Sequence, residues 1–111
     1  MAWYRGARRP LDEAEKSTDA AKARARAMEL LAGQELSSGG LYERLNRRFA
    51  GQTAAAVVAE MAELEAAAAL VDSRYRKKLE AGRRDLVVAA LMRRGFAYPV
   101  IRDAIQRVEQ E

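Results

Sequence analysis

The chain has 111 residues with no cysteine and no histidine, so no disulfide scaffold, zinc finger, thiol nucleophile or imidazole-based catalysis is open to it. Lys and Arg number 20 against 16 Asp and Glu, and the net charge of +4 suits an anionic partner. Half of the residues are hydrophobic, but 24 are alanine and only 6% are aromatic, so burial rests on few large side chains and the expected core is thin.

The opening decapeptide MAWYRGARRP is basic and aromatic, carrying Trp3, Tyr4, Arg5, Arg8 and Arg9. It lacks the apolar run of about 7–15 residues that a signal peptide requires, and no window reaches the roughly 18 apolar residues of a membrane span. The expectation is a cytosolic protein whose residues 1–16 form a partly disordered extension. From Leu11 to Gln34 the composition favours helix, with Ala23, Ala27, Leu30 and Leu31 on one face. Ser37 is the expected N-cap of a second helix on which Leu41, Leu45 and Phe49 recur every four residues, and Gly51 is the expected break. Thr53 is placed to cap a third helix reaching about Ala69, with Val57, Val58, Met61, Leu64 and Ala68 on a shared face. Asp72 is read as opening a short fourth helix, with Tyr75 and Leu79 inward and Arg74, Lys77 and Lys78 outward, ended by Gly82. A fifth helix is expected from a cap at Asp85 through Arg94, stopped by Gly95. Pro99 fits the first turn of a sixth, in which Val100, Ile101, Ala104, Ile105 and Val108 form an apolar stripe.

Two features stand out from this helical background. Leu45-Asn-Arg-Arg-Phe49 is echoed, with one inserted glycine, by Leu91-Met-Arg-Arg-Gly-Phe96, and each precedes an apolar-striped helix. The spacing lies in the range of helical repeats, whose units bury their apolar faces on each other. Charge is also segregated: residues 50–73 hold four acids and no base, whereas residues 74–94 hold eight bases against Glu80 and Asp85. The candidate partner-binding residues are therefore Arg74, Arg76, Lys77, Lys78, Arg83 and Arg84, joined by the pairs Arg47-Arg48 and Arg93-Arg94. The two pairs also sit at expected helix C-termini, where cations offset the macrodipole by about 0.3–1 kcal/mol.

The segment Ala27 to Leu45 (AMELLAGQELSSGGLYERL) resembles the opening repeat of the RecX family, regulators of the RecA recombinase. That family opens with an Ala-x-x-Leu-Leu helix, a turn ending in Ser and a Leu-x-x-x-Leu helix. Leu70-Val71-Asp72-Ser73-Arg74-Tyr75 is similar to the stretch that follows the family's next apolar helix, and Leu91 to Ile105 to its closing helix pair. The likeness runs from about Asp19 to Val108. Gly40 stands where the family usually has a Glu that completes a capping box, Gly33-Gln34 replaces an arginine pair, and Asp72-Ser73 replaces paired Asp. The family commonly carries three repeats, and this length holds about two, with the middle one missing or collapsed into Arg74 to Arg83.

The expected fold is all-α: about six helices as tandem three-helix repeats over residues 17–72 and 73–111, in an elongated arrangement. The resemblance implies a regulator that binds the RecA filament, most simply an inhibitor of its ATPase and strand exchange in DNA repair and recombination. The residues themselves imply only a small, basic, non-enzymatic helical binder without cofactor, and a monomer is expected. Its contacts would be steered by charge and screened by salt beyond roughly 8–10 Å. The alternative is a DNA-binding helix-turn-helix using Asp85 to Arg94, the turn at Gly95, and Val100 to Val108 as recognition helix. That helix offers Arg102, Gln106 and Arg107 for readout, while Asp103 and Glu109 repel phosphate. A protein–protein adaptor with another partner is the third option. Glu60 and Glu63 share a face but lack the His partners a metal site would favour, and no phosphate loop or nucleophile motif is present.

Overall fold

The computed structural model describes residues 10–111, and the protein is all-α. Among the described residues the only extended pairing is a single parallel bridge between Ser17 and Phe49. Trp3, Tyr4, Arg5, Arg8 and Arg9 lie outside the described residues. The chain divides into two compact units, Met1–Val58 and Ala59–Glu111.

In the first unit the helix-favouring stretch Leu11 to Gln34 is not one helix. A single 3-10 turn covers Glu13–Glu15, the chain leaves helical geometry at Lys16, and helix α1 runs over Ala20–Gly33. The reason is local: Asp19 is in extended conformation and its carboxylate accepts the Lys22 N–H at 3.1 Å, so the helix starts at this cap rather than at Leu11. Ala23 and Ala27 are fully buried and Leu30 nearly so, while Leu31 is half-buried. Helix α2, Ser38–Asn46, begins at the expected cap, where the Ser37 hydroxyl accepts the Gly40 N–H at 3.0 Å. It ends at Asn46, earlier than expected, so Phe49 lies beyond it in the turn, buried as Leu41 and Leu45 are.

Gly51 does not break a helix. It is the first residue of α3, Gly51–Leu70, and Thr53 lies inside that helix rather than capping it. The cap comes from elsewhere: the Gly51 N–H donates to Glu13 Oε2 at 2.6 Å, across 38 residues of chain. The Ser17 N–H donates to the Arg48 carbonyl and the Ala50 N–H to the Ser17 carbonyl, each at 2.9 Å. Residues 12–17 thereby clasp the α2–α3 turn. A Cβ at position 51 would meet the Tyr42 hydroxyl at 3.2 Å, so the close approach of Tyr42 and Glu13 is one that glycine accommodates.

In the second unit Asp72 does not open a new helix. It falls within a π-helical turn, Val71–Tyr75, that continues α3 directly into α4, Arg76–Glu80. The Asp72 carboxylate instead pairs with Arg76 one turn on. Helix α5, Arg84–Arg93, starts with Arg83 at the cap position; Asp85 stands in its first turn and binds Arg83, so it is not the cap. Gly82 and Gly95 follow α4 and α5 with φ of +78° and +101°, the left-handed conformation expected of glycine after a helix. Helix α6, Tyr98–Glu109, has Pro99 in its first turn and buries Val100, Ile101, Ala104, Ile105 and Val108, the whole expected stripe. It packs on α5 and on the π segment. Val71, Val87, Leu91, Ile101 and Ile105 are fully excluded from solvent.

The echoed segments share one local geometry. The Phe49 N–H donates to the Leu45 carbonyl at 2.9 Å, and the Phe96 N–H donates to the Leu91 carbonyl at 3.2 Å. Both leucines are fully buried. The inserted Gly95, at positive φ, allows the longer loop to close on the same leucine.

Candidate partner-binding surface

The second unit contains ten Arg and Lys, and its carboxylates divide them into two groups. Asp72 and Glu111 hold Arg76, the latter at 3.6 Å; Asp85 holds Arg83 at 3.2 Å; and Glu109 holds Arg84 at 3.0 Å. Asp103 binds Arg102 at 3.3 Å, and Glu65 binds Arg107 at 2.6 Å. Each such surface pair contributes only about 0.2–1 kcal/mol, but each meets one positive charge inside the fold. The remainder is Arg74, Lys77, Lys78, Arg93 and Arg94, which have no ion pair among the described residues and are all exposed.

Three of these five surround one side chain. Tyr75, at the end of the π segment, is half-buried. The Arg94 guanidinium, at the C-terminus of α5, lies near its phenol, and the charges of Arg94, Arg74 and Lys78 all act on it. The nearby Arg94 guanidinium is the main reason that the phenol titrates below its ordinary range; partial desolvation opposes the shift, and the three cations reinforce it. Lys78 Nζ also lies 5.9 Å from the centre of the ring, within cation–π range. The arrangement favours negative charge: an incoming carboxylate or phosphate would find three un-neutralised cations around a hydroxyl.

The sequence pattern places Tyr75 inward with the core; it is half-buried, at the end of the π segment, with its phenol in the field of three cations. The neighbouring cations at 74, 76, 77 and 78 were a readable signal of an amphipathic role; the approach of Arg94, nineteen positions away, was not. Of the other candidates, Arg76, Arg83 and Arg84 are engaged by carboxylates, and Lys77 and Arg93 are exposed without joining the Tyr75 cluster in any contact.

Arg47 and Arg48 belong to the first unit. Arg47 is the C-cap of α2 and Arg48 follows it, as expected for cations offsetting a helix macrodipole. Both line a groove of about 760 Å³ together with Pro10, Leu11, Tyr42 and Asn46. On α6, the outward Arg102 and Arg107 are already paired with Asp103 and Glu65, which leaves Gln106 as the uncommitted polar side chain of the three proposed for base readout. Among the described residues no three acidic side chains gather as a metal site would require, and no helix is long and apolar enough to cross a membrane. Compared with known proteins, the chain matches no family model, no curated protein and no solved structure.

Proposed function

We propose that the protein is a non-enzymatic regulator that binds the RecA recombinase filament and inhibits its ATP hydrolysis and strand exchange, acting in the cytosol in DNA repair and recombination. The partner rests on the resemblance of Ala27–Leu45, Leu70–Tyr75 and Leu91–Ile105 to the RecX pattern. The observation that carries a binding role is the cluster of Arg74, Lys78 and Arg94 around Tyr75, left un-neutralised in a unit whose other cations are largely paired. Acidic surface of the filament is the natural complement. The same reading takes the chain as a monomer of two tandem helical repeats.

The test is single-strand-dependent ATP hydrolysis by RecA with the protein titrated in at two salt concentrations. Substoichiometric inhibition that weakens as salt rises is expected, because exposed charges are screened. The triple change Arg74→Gln, Lys78→Gln and Arg94→Gln is expected to remove most of the inhibition. The double change Arg83→Gln and Arg84→Gln, at cations already met by carboxylates, is expected to remove much less. No effect at stoichiometric excess of folded protein overturns the proposal. Tight binding to free duplex, lost in Arg102→Gln with Arg107→Gln, would establish the helix-turn-helix alternative in its place.

A further inference from the structure

We propose that the groove of the first unit is a docking site for a short acidic peptide carrying apolar side chains, separate from the Tyr75 cluster. Leu11 and Tyr42 are 38% and 37% exposed, and these two large hydrophobic residues line the same groove, with Pro10 beside them. Its volume of about 760 Å³ lies within the roughly 300–1,000 Å³ of ligand clefts. The apolar lining alone would name no occupant; the charges do. Lys16, Arg47 and Arg48 line the groove against the single carboxylate of Glu43. Lys16 is answered by Glu13 at 3.5 Å, whereas Arg47 and Arg48 have no ion pair among the described residues. The C-terminal dipole of α2 supplies only about half a negative charge against those two full positive ones. The groove therefore presents apolar side chains together with net positive charge, the complement of a leucine or aromatic residue flanked by Asp or Glu.

The backbone beside the groove is held by several bonds. Pro10 and Leu11 precede the clasp in which Glu13 caps Gly51 and Ser17 bridges the chain on either side of Phe49. Asn46 is held by a bond from its Nδ2 to the Phe49 carbonyl at 3.1 Å. Backbone held in this way behind a groove loses little conformational freedom on binding, which favours recognition of a short segment. Glu43 favours peptide over nucleic acid, since its carboxylate repels the phosphodiester chain whose negative charge repeats at every step. A peptide can set its own carboxylates against Arg47 and Arg48 and a neutral residue against Glu43.

The experiment is fluorescence anisotropy of the full chain with the labelled peptide EDLFDE, with EDSSDE, KRLFRK and an oligothymidylate as comparison probes and no RecA present. EDLFDE is expected to bind tightest, EDSSDE about tenfold or more weaker, and KRLFRK not at all. Arg47→Glu with Arg48→Glu is expected to weaken EDLFDE binding at least about tenfold, and Leu11→Asp, at an exposed position, to weaken it independently. Lys22→Glu, a single charge reversal outside the groove, is expected to leave it within about twofold. Helical circular dichroism of each variant shows that it is folded. Equal binding of EDLFDE and EDSSDE, retention of binding in a folded Arg47/Arg48 variant, or no peptide binding overturns the proposal. Preference for oligothymidylate with the same Arg47/Arg48 dependence overturns it in favour of single-stranded nucleic acid. Because RecA is absent, failure here and failure of the filament reading are separate results.

Discussion

The two units draw on the same alanine-rich, charged vocabulary but hold their helices in different ways. In Met1–Val58 the decisive ties are polar and reach across sequence: Glu13 caps Gly51, and Ser17 pairs with the backbone on either side of Phe49. In Ala59–Glu111 the ties are the five-residue apolar stripe of α6 and a set of ion pairs over it, with glycines in left-handed geometry turning the chain after α4 and α5. The first unit manages its turns with no positive φ among the described residues. The lesson is that a thin core can be supplemented either by backbone capping from a distant segment or by concentrating the large aliphatic residues on one helix. The first route makes a local element depend on one carboxylate; the second makes it depend on volume.

The comparison is sharpened most strongly by core truncation. Ile105→Ala in α6 and Leu45→Ala in α2 both delete fully buried side chains, and each is expected to lower the free energy of unfolding by about 2–5 kcal/mol. Denaturant titration measures the loss, and hydrogen exchange is expected to show lost protection mainly within the unit that carries the change. A loss spread evenly over both units would break the comparison. Gly95→Ala is next. The added Cβ meets open space, but the φ of +101° is unfavourable for it, so a loss of about 1–2 kcal/mol is expected, read in the same titration.

A smaller effect is expected at the clasp, and its pH dependence identifies it. The Gly51 N–H, as the largest cause, with the Lys16 charge, holds the Glu13 carboxyl below its ordinary value of 4.5. A depressed pKa in the folded state means that the unfolded chain binds the extra proton first. The stabilisation is therefore full above the ordinary value and is lost as the pH falls through the folded one. Glu13→Gln is expected to lower the thermal midpoint at neutral pH and to flatten the acid side of the stability profile. Asp85, held low chiefly by Arg83, gives the second unit an acid sensitivity of the same sign. The smallest change is Arg107→Ala, which removes the exposed pair with Glu65 and is expected to reduce stability by about 0.2–1 kcal/mol, less as salt is added.

What was legible in the sequence follows from range. Ser37 as a cap, Gly82 and Gly95 as stops, Pro99 in a first turn and the stripe of α6 each depend on residues within a few positions, and each is present. Gly51 reads locally as a break because glycine weakens helices; its partner, Glu13, is too far along the chain for any local rule to supply. Asp72 and Asp85 carry the right chemistry for caps but found arginines instead, at Arg76 and Arg83. The candidate cations were legible as a cluster in sequence. Which of them remain un-neutralised was legible only in part: Asp72 and Asp85 are close in sequence to Arg76 and Arg83, whereas Glu109 and Glu111 reach Arg84 and Arg76 from other parts of the chain, and Arg94 comes near Tyr75 from nineteen positions away.

The π turn also acts as an aiming device for charge. Along α3 and into that turn the buried residues include Val57, Met61, Leu64, Ala67, Ala68 and Val71, spaced to keep one helical face inward. The wider winding of Val71–Tyr75 then precedes α4 in one continuous helical path. Five residues wound more widely leave everything after them roughly 90–100° from the direction an unbroken α-helix would give. The backbone, and not any side chain, thus sets the direction in which the basic stretch after Ser73 presents its charge.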